Sequence, residues 1–316
     1  MRHQRGVALI TVLLVVALVT VICAALLLRQ QLAIRSTGNQ LLVRQAQYYA
    51  EGGELLAQAL LRRDQAQGVV DHLAEPWANP RLQFPLDEGG ELRLRIEDLS
   101  GRFNLNSLAA GGESAELALL RFRRLLQQLQ LNLAYAERLQ DWLDTDQDAS
   151  GSSGAEDAQY LMLDPPYRTG TGRIGDISEL RLLLGMNEAD YRRLAPFVAA
   201  LPSQVELNIN TASAQVLACL GEGIPAAALQ SAIEGRGRSG YSDVTAFVQQ
   251  LSAYGVGPQG LGVGSQYFRV TTEVSLGDRR QVLTSYLQRG NDKHVRLMAR
   301  DLGQEGLAPE PVEESE

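Results

Sequence analysis

Residues 7–28 read VALITVLLVVALVTVICAALLL, 22 residues without a charged side chain. As a helix this run is about 33 Å long, enough to cross a bilayer core of about 30 Å. Arg2, His3 and Arg5 precede it, and Arg29 and Arg35 follow. A buried core helix of this length keeps a polar face, and this one has none. A secretory signal peptide has a shorter apolar core closed by a small-x-small cleavage site. Here the pattern continues as RQQLAIRSTGNQLLVRQAQYYAEGGELLAQALLRRD, in which Ala33, Leu41, Ala46, Tyr49, Leu56 and Leu60 form an intermittent apolar stripe. Gly38 and the pair Gly52-Gly53 weaken it. The pattern predicts a membrane anchor that runs on as an amphipathic helix.

The whole chain has 316 residues, 45% hydrophobic and 21% charged, which excludes a wholly disordered protein. Its net charge of −8 repels nucleic acid. Two cysteines, Cys23 and Cys219, make no disulfide framework. After the anchor, residues 71–85 (DHLAEPWANPRLQFP) read as a proline-punctuated connector. ELRLRIEDLSGRFNLNSL then reads as two strands: Leu92, Leu94 and Ile96 alternate with charged residues, and Ser100-Gly101 supplies a turn. Strand patterning returns only at Tyr267, with a hairpin around Leu276-Gly277-Asp278 and a third strand in HVRLMAR. Between these blocks, ESAELALLRFRRLLQQLQL, AYAERLQDWL, DISELRLLL, NEADYRRLAPFVAAL, ASAQVLACL, AAALQSAIEG and VTAFVQQL all show helical spacing. The predicted class is α+β: a transmembrane helix running into a longer helix, packed on an antiparallel sheet that a large all-helical insertion interrupts. The acidic tail 303–316 is expected to be disordered.

The very short basic leader ending in Gly6, followed directly by the apolar helix, resembles a type IV prepilin leader. That resemblance implies cleavage between Gly6 and Val7 by a prepilin peptidase, then methylation of the new N-terminus; an uncleaved signal anchor is the alternative. Most of that class carries Glu at the fifth mature position, and here it is Thr11. A bare carboxylate in lipid needs a partner, so a subunit with no neighbour above it can dispense with one.

The order of further segments is more specific. RQQLAIRS (29–36), GGELRLRIEDLSGRFNLN (89–106), DWLDTDQD and GAEDAQYL (within 141–161), DISELRLL (176–183), LNINTAS (207–213) and VSLGDRRQVLTSYLQRG (274–290) follow one another along the chain. In that order they resemble the K-type minor pseudopilins of the type II secretion system, a family that also lacks the fifth-position Glu. The resemblance implies a non-catalytic subunit at the tip of a periplasmic pseudopilus, needed for protein secretion. Its implied partners are I-type and J-type minor pseudopilins, the major pseudopilin and the prepilin peptidase. The anchor would span the inner membrane once, N-terminus cytoplasmic and head periplasmic, with sterile-alpha-motif-like units in the insertion. The expected divisions are a leader (1–6), a transmembrane helix (7–28), pseudopilin helix and first strands (29–110), a first helical unit with an acidic loop (111–204), a second helical unit (205–262), C-terminal strands (263–302) and the tail.

The acidic loop holds Asp141, Asp144, Asp146, Asp148, Glu156, Asp157 and Asp164 and no basic residue. Asp144-x-Asp146-x-Asp148 after a helix is how a calcium loop opens, because alternate side chains converge on one hard cation. The strict loop fails, since Ala149 stands where Gly belongs and Ala155 occupies the twelfth position. A solvated acidic loop is the plain alternative. Carboxylate repulsion, the freedom of Gly151 and Gly154 to fold GAED back onto DTD, and the family's calcium all favour the ion. The chosen ligands are Asp144, Asp146, Glu156 and Asp157, with Asp148 and Asp141 in reserve. Calcium is preferred to zinc because no His or Cys lies in the stretch.

LNINTASAQVLACLGEGIPAAALQSAIEGRGRSGYSDVTAF is similar to a helix–hairpin–helix unit of DNA-uptake receptors, which makes a membrane-anchored DNA-binding protein the alternative function. Its hairpin, Gly221-Glu222-Gly223-Ile224-Pro225, carries an acid, and only Arg236 and Arg238 lie nearby, so anion binding is disfavoured. A packing role fits better, with Asn208 and Asn210 bracing turns and Asn210 or Thr211 capping a helix. Three histidines and no nucleophile, zinc or phosphate-loop motif argue against an enzyme.

Overall fold

The computed structural model describes residues 4–87, 89–290 and 292–303, with side chains from Ala8 onward. The three leader residues 1–3 and the tail from residue 304 lie outside the described residues, as do the side chains at the Gly6–Val7 position. Helix α1 (Gln4–Gln65) runs unbroken for 62 residues, about 90 Å. Every side chain from Ala8 to Leu41 is exposed, and the apolar part of this stretch is long enough to cross a membrane.

The lower half of α1 lies on a five-stranded antiparallel sheet in the order β1-β2-β7-β8-β9. The strands are β1 (Leu82–Pro85), β2 (Glu91–Asp98), β7 (Tyr267–Leu276), β8 (Arg279–Arg289) and β9 (Val295–Asp301). Strand β1 corrects the reading of 71–85 as connector only: Leu82–Pro85 pair with Leu94–Glu91 at the sheet edge, where a proline costs no ladder bond. Trp77 from the same segment is buried and sits edge-on to Phe268, with ring centroids 5.3 Å apart. In β2 the alternation buries Leu92, Leu94 and Ile96, each contributing about 1.5–3 kcal/mol. It also turns Asp98 inward.

The stripe that seats α1 is narrower than the predicted one. Ala46, Ala50, Gly53, Ala57 and Leu61 are buried against the sheet, whereas Ala33 and Leu41 are exposed and Tyr49, Leu56 and Leu60 only flank the contact. Small residues let the helix axis approach the strands. A Cβ on Gly53 would lie 2.5 Å from Thr272 Cγ2 on β7, so this glycine is a contact requirement rather than a weakness. At Gly52 a Cβ would meet nothing. Glu54 adds a polar clamp, accepting from Arg300 on β9 at 2.7 and 2.9 Å and from Ser285 Oγ at 2.6 Å. Burial pushes its carboxyl up, but these partners outweigh that and hold it below the usual range.

Residues 99–266 leave the sheet after β2 and return to it at β7. They hold α2 (Gly112–Gln128), α3 (Ala134–Leu143), α4 (Asp157–Tyr160), α5 (Glu188–Leu194), α6 (Ala214–Ala218), α7 (Ala226–Glu234) and α8 (Thr245–Leu251). The insertion is not wholly helical. Strand β3 (Phe103–Asn104) pairs in parallel with β4 (Val198–Ala199), and β5 (Leu207–Asn208) pairs in parallel with β6 (Leu261–Gly262). FNLN therefore opens the insertion rather than extending the main sheet. VAA after α5 is extended rather than helical, and residues 177–182 form a 3₁₀ turn.

Each parallel pair carries the same asparagine clasp. Asn104 Oδ1 accepts from Asn106 N, and Asn106 grips both backbone groups of Ile174, with Ile174 N donating to Oδ1 at 2.9 Å and Nδ2 donating to its carbonyl at 3.0 Å. Asn208 Oδ1 accepts from Asn210 N, and Asn210 grips Tyr241 in the same way at 2.7 and 3.1 Å. The Asn-x-Asn pairs thus brace turns as expected, but helix α6 is capped by Ser213, not by Asn210 or Thr211.

The two neighbouring glycines of α1 should respond oppositely. Gly53→Leu forces a side chain into Thr272 and should lower stability by about 2 kcal/mol. Gly52→Ala gains helix propensity in open space and should raise it by about 0.5–1 kcal/mol. Denaturation of the detergent-solubilised chain measures both, and equal effects at the two sites would contradict the seating of α1.

Candidate functional site

The acidic loop joins α3 to α4. Helix α3 ends at Leu143, with Asp144 as its C-cap in extended conformation, and Glu156 is the N-cap of α4. Asp141 folds the loop back on itself: Oδ1 accepts from Ser150 N at 2.9 Å and Oδ2 from Ala155 N at 2.7 Å. Gly154 is essential to this turn, because a Cβ there would stand 2.3 Å from Asp141 Oδ2. The result brings oxygens of Asp141, Asp144 and Glu156 within 4.8 Å of one another. Asp144 Oδ1 and Glu156 Oε1 are buried without a hydrogen-bond partner. Burial first, then the charges of Asp146 and Asp141, pushes Asp144 up to about 6. Burial, then Asp141 and Asp144, pushes Glu156 up to about 7. Carboxylates at a helix C-terminus are also opposed by its dipole.

Of the four residues first chosen as ligands, Asp144 and Glu156 converge. Asp146 is exposed, accepts from Asp148 N at 2.9 Å, and acts on both through its charge. Asp157 turns away, paired with Arg168 at 2.9 Å and accepting from Thr169 N at 3.0 Å. Asp141, held in reserve by the sequence reading, belongs at the centre, and Asp148 stays exposed. The physical reason is the backbone fold at Gly154, which the i, i+2 spacing of the calcium-loop template does not anticipate.

A second acidic trio, with Asp71 buried and Asp64 and Glu75 half-buried, escaped the sequence reading. It already holds its own cation. Arg289 from β8 donates to Asp64 Oδ2 at 2.9 Å, to both oxygens of Asp71, and to the Ser265 carbonyl at 2.7 Å. Beside it, Asp98 accepts from Ser265 Oγ and Thr211 Oγ1 at 2.5 Å each and from Ser100 N at 2.7 Å. Asn208 Nδ2 bridges to Ser265 Oγ at 2.7 Å and to the Asp71 carbonyl at 3.1 Å. This hub joins the end of α1, strand β2, strand β8 and the second helical unit. One sequence signal pointed to it: Asp98 follows Leu92, Leu94 and Ile96 in the inward phase.

At the hairpin 221–225, Glu222 N donates to the Tyr254 carbonyl at 3.0 Å. Arg236 is turned inward onto the Ala212 carbonyl at 2.5 Å, and Glu222 in the hairpin lies 3.8 Å from Arg124. In the anchor, Thr11 Oγ1 donates to its own helix at Ala8 O, 2.9 Å, so the fifth residue after Gly6 needs no partner in lipid.

Residues 101–203 match the family model for the first domain of type II secretion system protein K, and residues 207–269 match a second model for protein K of the same system. The type II secretion system protein K of Pseudomonas aeruginosa is 54% identical over 97% of this chain and 95% of its own length. The Klebsiella pneumoniae protein of the same name is 35% identical over 92% and 94%. The crystal structure of the GspK-GspI-GspJ complex from the enterotoxigenic Escherichia coli type 2 secretion system contains a chain similar at a TM-score of 0.76 and 27% identity. That match covers 85% of this chain and 99% of that one.

The raised carboxyls of the acidic loop give a signed pH dependence. Unfolded Asp and Glu titrate near 4, so with divalent ions chelated their contribution to stability is intact below about pH 4. It is lost as pH rises through the folded values of about 6 and 7. Glu156→Gln should remove much of that fall. Chemical denaturation in chelator from acid to neutral pH checks it, and parallel profiles for parent and variant would contradict the assigned burial.

Proposed function

The chain belongs to the type II secretion system protein K family, and from that membership we propose that it is a minor pseudopilin capping the tip of a periplasmic pseudopilus, needed for filament assembly and export of folded proteins. The observation that carries this is the insertion of residues 99–266 into a pseudopilin-type helix and sheet. A head widened in that way suits an end position rather than repeated stacking along a narrow shaft. Thr11 supports it, since it satisfies itself within α1 and offers no charge to the N-terminal amine of a subunit above. I-type and J-type minor pseudopilins are the proposed neighbours, as in the complex formed by the Escherichia coli relative. Leu41, Val43, Tyr48 and Leu55 remain exposed on α1 away from the sheet and offer their helices an apolar face. In this reading the major pseudopilin forms the shaft, Val7–Leu28 spans the inner membrane with its basic leader cytoplasmic, and prepilin peptidase cuts after Gly6. The two clasped helical units are the sterile-alpha-motif-like modules, divided near 204–205.

Calcium is the proposed ion of the acidic loop. The residues present fit it: three carboxylates converge, two of their oxygens are buried and unpaired, and among the described residues no His or Cys joins the cluster. Asp144 and Glu156 would bind directly. Asp141, whose oxygens already accept from the loop backbone, and Asp146 would complete the negative field, with carbonyls and water filling the shell. The ion would be structural, cancelling the repulsion that raises these carboxyls.

Two experiments test the proposal. Cysteine cross-linking in assembled pseudopili should place this chain once per filament, next to minor subunits, and mass spectrometry of the same fraction should find it beginning at Val7. Repeated incorporation along the shaft, or an intact Met1, would overturn the corresponding reading. Adding calcium to the chelated chain should flatten its stability–pH profile near neutrality and raise its melting temperature through linkage. An unchanged profile would leave a solvated acidic loop.

A further inference from the structure

Among the described residues, two arginines are less than one-tenth exposed, Arg289 at 5% and Arg121 at 8%. Arg289 is neutralised by Asp64 and Asp71. Arg121, on α2, makes no ion pair within 4 Å among the described residues; its Nη1 donates to the Gln259 carbonyl at 3.0 Å, and its Nε is buried without a partner. Burial lowers its pKa, and no carboxylate offsets that. A buried cation left in this state is costly.

Arg121 lines a cavity of about 370 Å³ at the seam between the two helical units. One wall is the face of α2 carrying Ser114, Leu117, Ala118 and Arg121, at the spacing of successive helical turns. Opposite lie Ser203 and the strand-leading residues 204–207, with Phe103 beneath. The lining mixes apolar side chains such as Phe103, Leu117 and Val205 with polar ones, and neither Ser114 nor Ser203 has a side-chain hydrogen bond among the described residues. Glu206 also borders the cavity, but its carboxylate rests over Gly262, with Oε2 2.7 Å from where a Cβ would stand there. Arg102, the second cation at the rim, is occupied by Glu97 at 3.2 Å.

We propose that this cavity binds a small monocarboxylate with a short apolar body, its carboxylate on the Arg121 guanidinium and its chain against Phe103 and Leu117. One guanidinium without an ion pair balances one negative charge, whereas a phosphate dianion would carry a second, uncompensated charge into the seam. The planar fork of arginine matches a carboxylate, and the serine hydroxyls can donate to it. Because Arg121 belongs to the first unit and residues 203–207 and Gln259 border the second, an occupant would tie the two units together.

The test uses the full chain in detergent micelles at fixed calcium concentration and ionic strength, with sodium butyrate as probe and butyramide and sodium chloride as controls. Butyrate should raise the melting temperature saturably, and butyramide should not. Arg121→Met should abolish the response. Ala110→Phe, which fills the exposed mouth and leaves the guanidinium in place, should weaken apparent affinity by roughly tenfold or more. If Arg121→Met does not fold, Ala110→Phe decides. Equal responses to butyrate and butyramide, no response in the parent, or a response unchanged in the folded variants would overturn the proposal.

Discussion

Strand β2 must find strand β7 across residues 99–266, and the rest of the head depends on that pairing. The ladder runs without a slip from Glu91 opposite Ser275 to Asp98 opposite Phe268. Closing a flexible loop of that length costs about 4–5 kcal/mol, and the chain meets this at the point of departure. Leu99 N donates to Tyr267 O, Asn208 N donates to Ser100 O, and Asp98 gathers Ser265 from the end of the excursion and Thr211 from its second helical unit. An insertion whose exit and entry are tied by buried hydrogen bonds leaves the sheet register intact. It therefore adds a wide body to a pseudopilin head without disturbing how α1 sits on the strands.

Charge follows the same economy of local pairing. Glu273 is held by Arg93 and Arg280, Glu97 by Arg269 and Arg102, Glu54 by Arg300, and Asp71 by Arg289. Against that background, the acidic loop and the cavity-lining guanidinium of α2 stand unbalanced among the described residues. The trio Asp141, Asp144 and Glu156 has no cation, and Arg121 has no anion. Buried charge left alone is disfavoured strongly enough that each imbalance points outside the chain, one toward a divalent cation and the other toward a carboxylate.

The membrane anchor and the head are one mechanical piece. Helix α1 passes from a span in which every described side chain is exposed to a stripe of alanines and Gly53 pressed on the sheet, with Glu54 clamped to β9. Close approach is possible because the contacting residues are small, and the clamp resists sliding because its carboxylate is buried. The helix and the sheet are thereby fixed to one another along the lower half of α1.

Much of this architecture was legible in local pattern. The uncharged run of 7–28, the period-two alternation of β2, the hairpin at Gly277-Asp278 and the helical spacings of the insertion each declare an element, because burial on one face imposes a period on neighbouring residues. The acidic loop was legible as a site, but its ligand set was not. Asp157 lies next to Glu156 in sequence yet faces Arg168, while Asp141 reaches the centre through a turn that depends on the missing side chain of Gly154. Strand β1 was hidden by prolines that an edge tolerates, and the matching clasps of Asn106 and Asn210 were hidden because Ile174 and Tyr241 lie far along the chain. Sequence determined which segments are helix, strand and anchor, since those choices rest on neighbours. Tertiary structure alone decided which remote carboxylates, amides and arginines meet, since that depends on where the backbone returns.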